Sequence, residues 1–481
     1  MTSDTHLMSS RAAAQPSSPI DLSEPQRLHV VGVGGPGMSA IAIVLAEMGH
    51  TVSGSEIRDK PVLERLRAAG IDVHVGHHRS LVHGVDAVTS STAVPERNVE
   101  LDEARSTGVV VLRRAGMLAG ICAQARSLGV AGTHGKTTTT SMLMFVMAEA
   151  GMRPSFVIGG DVTDMGTGAQ WTGDEWFVVE ADESDGTHLE LPLYGTILTN
   201  VEVDHLDYYG SFDGIVAGFE QYIAQVSGPR VLCADDPVCA DLARRHGGIT
   251  YGLAADAEYR ATDVRAESGS LRFAVEHNGE RLGEIHLPLR GLHNVQNACG
   301  VIAMALTIGV PFSITANALG RFGGVARRFD LRGQHNGATL VDDYAHLPTE
   351  IAAVLAAARH SGDAWQRVVA VFQPNRYNRM AELWPEYCDA FVDADIVVIT
   401  DIFASGTQPI PGVTGKLVVN AILDAHPRAS VVWLPRRREL VEYLTHILRP
   451  GDVCISMGCG DVASLPGEVL SERLRLEVAP S

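Results

Sequence analysis

Seven consecutive residues, Gly132-Thr133-His134-Gly135-Lys136-Thr137-Thr138, carry the strongest chemical signal in the chain. A glycine-rich turn ahead of a helix aims several backbone N–H groups at one point, at the positive end of the helix. That point suits a phosphate. Lys136 adds a charge that reaches the outer phosphates of a nucleotide, and Thr137 offers a hydroxyl to the Mg²⁺ that bridges them. Two residues separate the glycines of this loop, where the commonest nucleotide-binding form has four. Lys136 reads as an exposed loop lysine, one whose loss costs little stability. A second signal is the carboxylate cluster Glu180-Ala181-Asp182-Glu183-Ser184-Asp185, which closes an apolar run over 176–179. Carboxylates are hard oxygen ligands suited to Mg²⁺. The third is His205, beside Asp204, after another apolar run at 196–198. Its type fits a structural histidine or a metal ligand, and Mg²⁺ prefers oxygen.

The elements that must position these groups alternate strand and helix. A strand over 127–131 leads into the loop, and a helix from Thr137 to Ala150 follows it, with Met142, Leu143, Phe145, Val146 and Met147 at near-helical spacing. Earlier in the chain, a strand over 28–33 runs into Gly34-Gly35-Pro36-Gly37 and an apolar helix over 38–48. Strand, glycine turn and helix open a Rossmann-like unit, and Glu56 after the second strand keeps a dinucleotide reading alive. Further βα units run through 72–75, 87–90 and 109–112. The polar loop Ser90-Ser91-Thr92-Ala93-Val94-Pro95 sits at a strand end, as a ligand loop or a plain turn. Residues 211–251 read as helix, strand, helix and strand, and 258–289 as antiparallel edge strands. In Gly291-Leu292-His293-Asn294-Val295-Gln296-Asn297, the two asparagines share a helical face. Their amides suit the edge of a base, and Asn294 equally suits an N-cap. A third sheet is expected from strands at 339–341, 368–372, 396–400, 431–434 and 453–456. Asp342–His346, Gln373–Arg376 and Gly458–Asp461 follow three of them, toward one crevice.

At 481 residues and 46% hydrophobic, the chain is long enough for about three domains. A net charge of −19 without a long basic run argues against nucleic acid as a partner. Seven scattered cysteines suggest reduced thiols and a cytoplasmic setting. Residues 1–24 are rich in Ser, Ala and Pro and read as a disordered tail, not a signal peptide. No stretch is long and apolar enough for membrane insertion. The expected fold class is α/β with three domains. They are a Rossmann-like domain over 25–124, a central phosphate-loop domain with edge antiparallel strands over 125–324, and a Rossmann-like C-terminal domain over 325–481.

Taken in order, the motifs resemble the Mur ligases. They are Gly32–Ser39, Gly132–Thr138, Glu180–Asp185, Asp204–Asp207, His293-Asn294 with Asn297-Ala298, Arg327–Phe329, Asp342–His346 and Phe372–Pro374. The resemblance covers nearly everything after the tail, and it is nearest to the branch that joins L-alanine to UDP-N-acetylmuramate. It implies ATP-driven formation of an acyl phosphate and its capture by the amine of alanine, in peptidoglycan precursor synthesis. ATP and Mg²⁺ are the implied cofactors, and a monomer or weak homodimer the implied state.

The resemblance also implies roles. The loop Gly132, Thr133, His134, Gly135, Lys136, Thr137 and Thr138, with Asn294, Asn297, Arg328 and Asp343, would hold ATP. Thr137, Glu180 and His205 would hold the metal. Lys136, His346 and Arg376 would be catalytic, the last two facing the reacting carboxylates. Gly34, Gly35, Pro36, Gly37, Met38, Ser39, Ser55, Ser91 and Thr92 would hold the UDP-sugar, which displaces the dinucleotide. The family usually has histidine where this chain has Leu347 and Asn375, and glutamate at Gly116. The first two departures bear on the identity of the incoming amino acid or peptide. A ligase for a recycled peptide is the alternative within the family, and an NAD-dependent oxidoreductase the alternative outside it.

Overall fold

The computed structural model describes residues 19–163 and 165–478. Three α/β domains follow one another, each around its own sheet. The first sheet comprises β1 (Arg27–Val31), β2 (Thr51–Glu56), β3 (Asp72–Val75), β4 (Ala87–Ser90) and β5 (Val110–Arg113). All are parallel, in the order β3-β2-β1-β4-β5. The order reverses between β1 and β4, so the turns after these two strands flank one crevice.

The central sheet comprises β6 (Arg126–Ala131), β7 (Ser155–Val162), β8 (Thr167–Gln170), β9 (Trp176–Glu180), β10 (Gly195–Leu198), β11 (Arg230–Cys233), β12 (Ile249–Gly252), β13 (Tyr259–Glu267), β14 (Ser270–His277) and β15 (Glu280–Leu287). Its order is β15-β14-β13-β12-β11-β10-β6-β9-β7-β8. β6 lies between β10 and β9, parallel to both, with Ala131 opposite Leu198 and Val130 opposite Glu180. This register sets the phosphate loop, Glu180 and Thr199-Asn200 side by side. The expected antiparallel edge is β13–β15. The helix Lys136–Glu149 that follows the loop has every residue from Thr137 to Met147 buried. It is covered on all sides by the sheet and its neighbouring helices, so it shows no polar stripe.

The C-terminal sheet comprises β16 (Asp330–His335), β17 (Ala338–Asp343), β18 (Arg367–Phe372), β19 (Ile396–Ile399), β20 (Val431–Trp433) and β21 (Asp452–Met457), ordered β16-β17-β21-β18-β19-β20. Asp343, Met457 and Phe372 lie level across three parallel strands, so the loops after them share one edge. β16 was not expected, because its residues are mostly exposed and polar and it pairs antiparallel at the sheet edge. β7 and β8 also escape the sequence pattern. Their run is broken by Gly159 and Gly160.

A continuous apolar core runs through the first two domains, from Leu22 to Val325. The third domain has separate cores on the two faces of its sheet. Residues 1–18 of the expected tail lie outside the described residues. The remainder of that stretch is packed: Leu22 is only 3% exposed, and Ile20 lies against Gly120. Composition suggested a tail to residue 24, but these two apolar side chains find a partner in the helix Arg114–Cys122. Leu22→Ala is therefore expected to destabilise the first domain by about 2–5 kcal/mol, read from urea unfolding. An unchanged midpoint would return residues 19–24 to the tail.

Candidate active site

The phosphate loop is fixed from the neighbouring strand end. His134 N–H donates to Asn200 Oδ1 (2.8 Å), Thr133 N–H to the Asn200 carbonyl (3.0 Å), and Thr199 Oγ1 to the His134 carbonyl (2.6 Å). Gly132 (φ +131°) and Gly135 (φ +80°) take conformations that glycine alone adopts readily. A Cβ on Gly135 would also lie 2.7 Å from Asn297 Oδ1. Lys136 is not exposed, contrary to the sequence reading: its side chain is 16% accessible. Its Nζ donates to the Gly132 carbonyl (2.6 Å) and pairs with Glu183 (2.9 Å). Burial disfavours its charge, but Glu183 and Asp182 prevail and its pKa is raised.

The rest of the carboxylate cluster is divided among separate partners. Arg114 Nη2 reaches from the first domain to Asp182 Oδ2 (2.7 Å) and Asp185 Oδ2 (3.2 Å). Burial opposes ionisation of Asp182, yet Arg114 and Lys136 hold it well below the usual carboxylate range. Asp182 and Asp185 thus serve a domain contact, and Glu183 serves Lys136. Glu180 is the member held differently: its Oε1 accepts from Gly159 N–H (3.0 Å). A Cβ at position 159 would lie 2.8 Å from Glu180 Oε2, so glycine makes room for the carboxylate. His205 has a left-handed backbone (φ +54°), with Nε2 3.1 Å from Asp204 Oδ2 and 3.9 Å from Glu183 Oε1. Asp204 is in turn gripped by Arg379 of the third domain at 3.0 Å.

A cavity of 890 Å³ opens between the central and C-terminal domains. Gly135, Asn294 and Asn297 line one side, and Arg328, Asp343 and Glu350 the other. Asn294 is not an N-cap: Gly291 holds that position in the helix Leu292–Thr307. Asn294 Nδ2 donates to the Arg290 carbonyl (2.8 Å) and Asn297 Nδ2 to Asn294 Oδ1 (3.3 Å). His293 is kept neutral, its pKa lowered to about 4 by burial and by Arg328. Arg328 lies over the Tyr344 ring and reaches Thr137 Oγ1 at 3.5 Å. Both oxygens of Asp343 accept backbone N–H groups, from Phe329 and Ala345, each at 2.7 Å. Burial raises its pKa to about 6, against Arg328 and those two donors.

His134 joins the two domains. Its Nε2 lies 3.2 Å from Glu202 Oε2, and its Nδ1 lies 3.1 Å from Glu350 Oε1 of the third domain. Burial opposes the charge, but the two carboxylates raise its pKa to about 9. His346 Nδ1 faces the other oxygen of Glu350 at 3.1 Å. Arg376 caps the helix Tyr377–Leu383 in a left-handed conformation (φ +60°). Asn375 is buried and does not face the cavity; its Oδ1 accepts from Arg379 Nη1 at 3.0 Å. Leu347 is buried, and a Cβ at Gly116 would make ordinary contact with Leu112, 3.6 Å away.

In the first domain, Gly35 caps the helix Pro36–Glu47 and Pro36 occupies its first position. Gly34 N–H donates to Glu56 Oε2 (3.1 Å), and a Cβ there would collide with that carboxylate. Met38 and Ser39 are buried, the Ser39 hydroxyl donating to the Pro36 carbonyl. Their side chains support the turn. Ser55 is placed in a similar way. It is fully buried, its hydroxyl donates to Glu100 (2.6 Å), and its carbonyl accepts Gly32 and Val33 N–H groups. The strand pattern places Ser55 at the right height but on the inner face. Ser91 and Thr92 lie on the accessible loop after β4, with Ser91 Oγ accepting from Ala93 N–H.

Sequence reasoning missed Arg114, Glu202, Glu350 and Arg379. Glu350 alone had a local signal, as a glutamate in the first turn of a helix after Pro348. Among the described residues, no group of three or more His, Cys, Asp or Glu is arranged to hold a metal by itself. The hard oxygens of Thr137 and Glu180 fit Mg²⁺ only in partnership with phosphates.

The comparisons with known proteins agree over most of the chain. Residues 27–126 match the family model described as "Mur ligase family, catalytic domain", 130–305 "Mur ligase middle domain", and 327–460 "Mur ligase, glutamate ligase domain". The UDP-N-acetylmuramate–L-alanine ligase of Geobacter sp. (strain M21) is 42% identical over 454 residues, 94% of this chain and 98% of that protein. That of Rubrobacter xylanophilus is 42% identical, covering 93% of this chain and 100% of the relative. The crystal structure of the UDP-N-acetylmuramate–alanine ligase from Thermotoga maritima superposes with a TM-score of 0.80 at 28% identity, over 94% of this chain and 100% of that one. A murein peptide ligase from Psychrobacter arcticus gives 0.67 at 25% identity, over 93% and 98%.

The charge on His134 yields a stability prediction. Its folded pKa is raised from 6.5 to about 9, so its contribution is fully present below pH 6.5 and is lost as pH rises through 9. The melting-temperature difference between the parent and His134→Gln is expected to shrink over that window. A difference that stays constant from pH 6.5 to 9 would mean that His134 is not protonated in the folded protein.

Proposed function

The chain belongs to the Mur ligase family, and from that premise we propose that it is the ATP-dependent ligase that joins L-alanine to the carboxylate of UDP-N-acetylmuramate in peptidoglycan precursor synthesis. The observation that carries the chemistry is the convergence of the phosphate loop and Glu180 at one sheet edge, with Arg328 of the third domain reaching Thr137. The choice of alanine is supported by the relatives at 42% identity, which are named as UDP-N-acetylmuramate–L-alanine ligases. The peptide-ligase alternative has the weaker structural likeness, 0.67 against 0.80. An oxidoreductase would leave the phosphate loop and its lysine without a purpose.

When bound, ATP supplies the phosphoryl group that converts the carboxylate to an acyl phosphate, and Mg²⁺ neutralises charge on its phosphates. Such transfer needs positioning and charge compensation more than covalent help from the protein. In this reading the loop N–H groups and Lys136 hold the phosphates. Thr137, Glu180 and His205 would hold the metal. Asn294, Asn297, Arg328 and Asp343 hold ATP, Asp343 by fixing the two backbone segments that bear Arg328 and Ala345. His346 and Arg376 face the reacting carboxylate and the amino acid, whose amine displaces phosphate to form the amide. Gly34, Gly35, Pro36 and Gly37 offer backbone to the UDP group, with Ser91 and Thr92 opposite. A cytoplasmic location and a monomer or weak homodimer belong to the same reading. It accords with cysteines that are all free, and with the absence of any described helix long and apolar enough to cross a membrane.

The deciding assay is ADP release with UDP-N-acetylmuramate and, in turn, L-alanine, glycine, L-serine and a tripeptide. Release with L-alanine above the others is expected, and release with the tripeptide alone would move the chain to the peptide ligases. Lys136→Ala should lower that rate by about 100-fold or more. It should also lower stability, because it strands Glu183. A folded Lys136→Ala protein with parental turnover would remove the lysine from the reaction. Arg376→Lys tests the amino-acid clamp, since a guanidinium grips a carboxylate through two parallel donors and an ammonium does not. The KM for L-alanine is expected to rise more than that for ATP. Parental kinetics would make Arg376 a surface residue.

A further inference from the structure

Glu350 makes two kinds of contact at once. Its Oε2 accepts from the backbone N–H groups of His346 (2.8 Å) and Leu347 (3.1 Å), closing the start of the helix Pro348–Arg359. The same oxygen lies 3.1 Å from His346 Nδ1. A helix cap needs no more than this. Yet Oε1 faces away from the helix, 3.1 Å from His134 Nδ1 on the phosphate loop of the central domain. One residue earlier, Thr349 Oγ1 donates to Glu202 Oε2 (2.8 Å), the oxygen that holds the other nitrogen of His134. A single imidazole is thus clasped between a carboxylate of its own domain and one of the neighbouring domain. Glu350 also lines the cavity between them.

We propose that Glu350 is a positioning residue that couples seating of the C-terminal domain to the phosphate loop, acting through His134 on one side and His346 on the other. The proposal rests on the reading above, in which His346 faces the reacting carboxylate. Among the described residues, the apolar cores of the third domain are separate from that of the other two, so polar contacts such as these weigh in how it seats. When it swings away, Glu350 leaves His134 and Thr349 leaves Glu202. When it returns, one rigid carboxylate fixes the His346 ring and the loop relative to each other. Both oxygens are then engaged, so neither histidine turns without moving the other's partner.

Glu350→Gln separates the two contacts. The amide oxygen still accepts from the His346 and Leu347 N–H groups, while the amide nitrogen presents a donor to a donor at His134. Three readouts are taken on the full chain: melting temperature, the change in radius of gyration by X-ray scattering on adding a non-hydrolysable ATP analogue, and steady-state kinetics. The expected result is a melting temperature lowered by loss of the His134 pairing, weaker compaction, and a kcat about tenfold lower or more, with the KM for UDP-N-acetylmuramate unchanged. His134→Gln should lose compaction equally, and the double variant should be no worse than either single one, as for members of one unit. Parental compaction and kcat in Glu350→Gln would make the residue a helix cap only, as would a lowered melting temperature with kinetics unchanged. Should Glu350→Gln fail to fold, parental compaction in His134→Gln overturns the proposal by itself. Failure of the proposed function reads differently: the parent would then release no ADP with any of the four acceptors, while compaction on the analogue still tests the clasp.

Discussion

The parallel ladder on either side of β6 is the constraint from which the site follows. Backbone hydrogen bonds fix Val130 against Glu180 and Ala131 against Leu198. Because strand pairing has a period of two, a slip of one residue would turn each of these side chains to the opposite face. The loop, the carboxylate and the Thr199-Asn200 turn therefore come together without any need for mutual attraction. What the side chains add is restraint. Asn200 and Thr199 hold the loop's shape, and Gly135 and Gly159 leave room where Asn297 and Glu180 approach.

Charge then decides how the domains meet that edge. Arg114 brings the first domain to Asp182 and Asp185, while Arg379 and Glu350 bring the third to Asp204 and His134. Each of these groups is wholly or largely buried, and each would be costly there without its partner. The acidic cluster that looked like a single metal site is thereby divided. Lys136 and two domain contacts take three of its carboxylates, and Glu180 is left facing the phosphate loop's edge. Asn375 belongs to the same scheme, since its amide steadies Arg379 instead of meeting a ligand.

Much of this was legible in the chain because the signals are local. The apolar runs before Gly132, Glu180 and Thr199 are short and bounded, and the helix after Lys136 is long and unbroken. Local patterns also gave three sheets and the antiparallel edge at β13–β15. They failed where a partner distant in sequence sets the outcome. Lys136 is buried because Glu183 and the surrounding loops cover it, not because of its own neighbours. Ser55 faces inward because Glu100 waits there, 45 residues on. Arg114, Glu202 and Arg379 carry no motif at all, and their meaning exists only once two domains touch. Leu22 is the same lesson on the apolar side: a single leucine in a polar stretch becomes core when a helix surface accepts it.

The unequal sharing of apolar cores has a consequence for how the molecule opens. Where one core is continuous, side chains on both sides lose their packing together, so the first two domains should open largely as one unit, although the first also keeps a small core of its own around Val31, Val88 and Leu101. The C-terminal sheet, packed on two cores of its own, forms another. Backbone amides of β6 and β1 should thus share a common slow class of hydrogen exchange, while those of β18 and β21 exchange through a separate opening. The seam between these units passes through the nucleotide cavity, so a bound ligand that spans it would merge two protection classes into one.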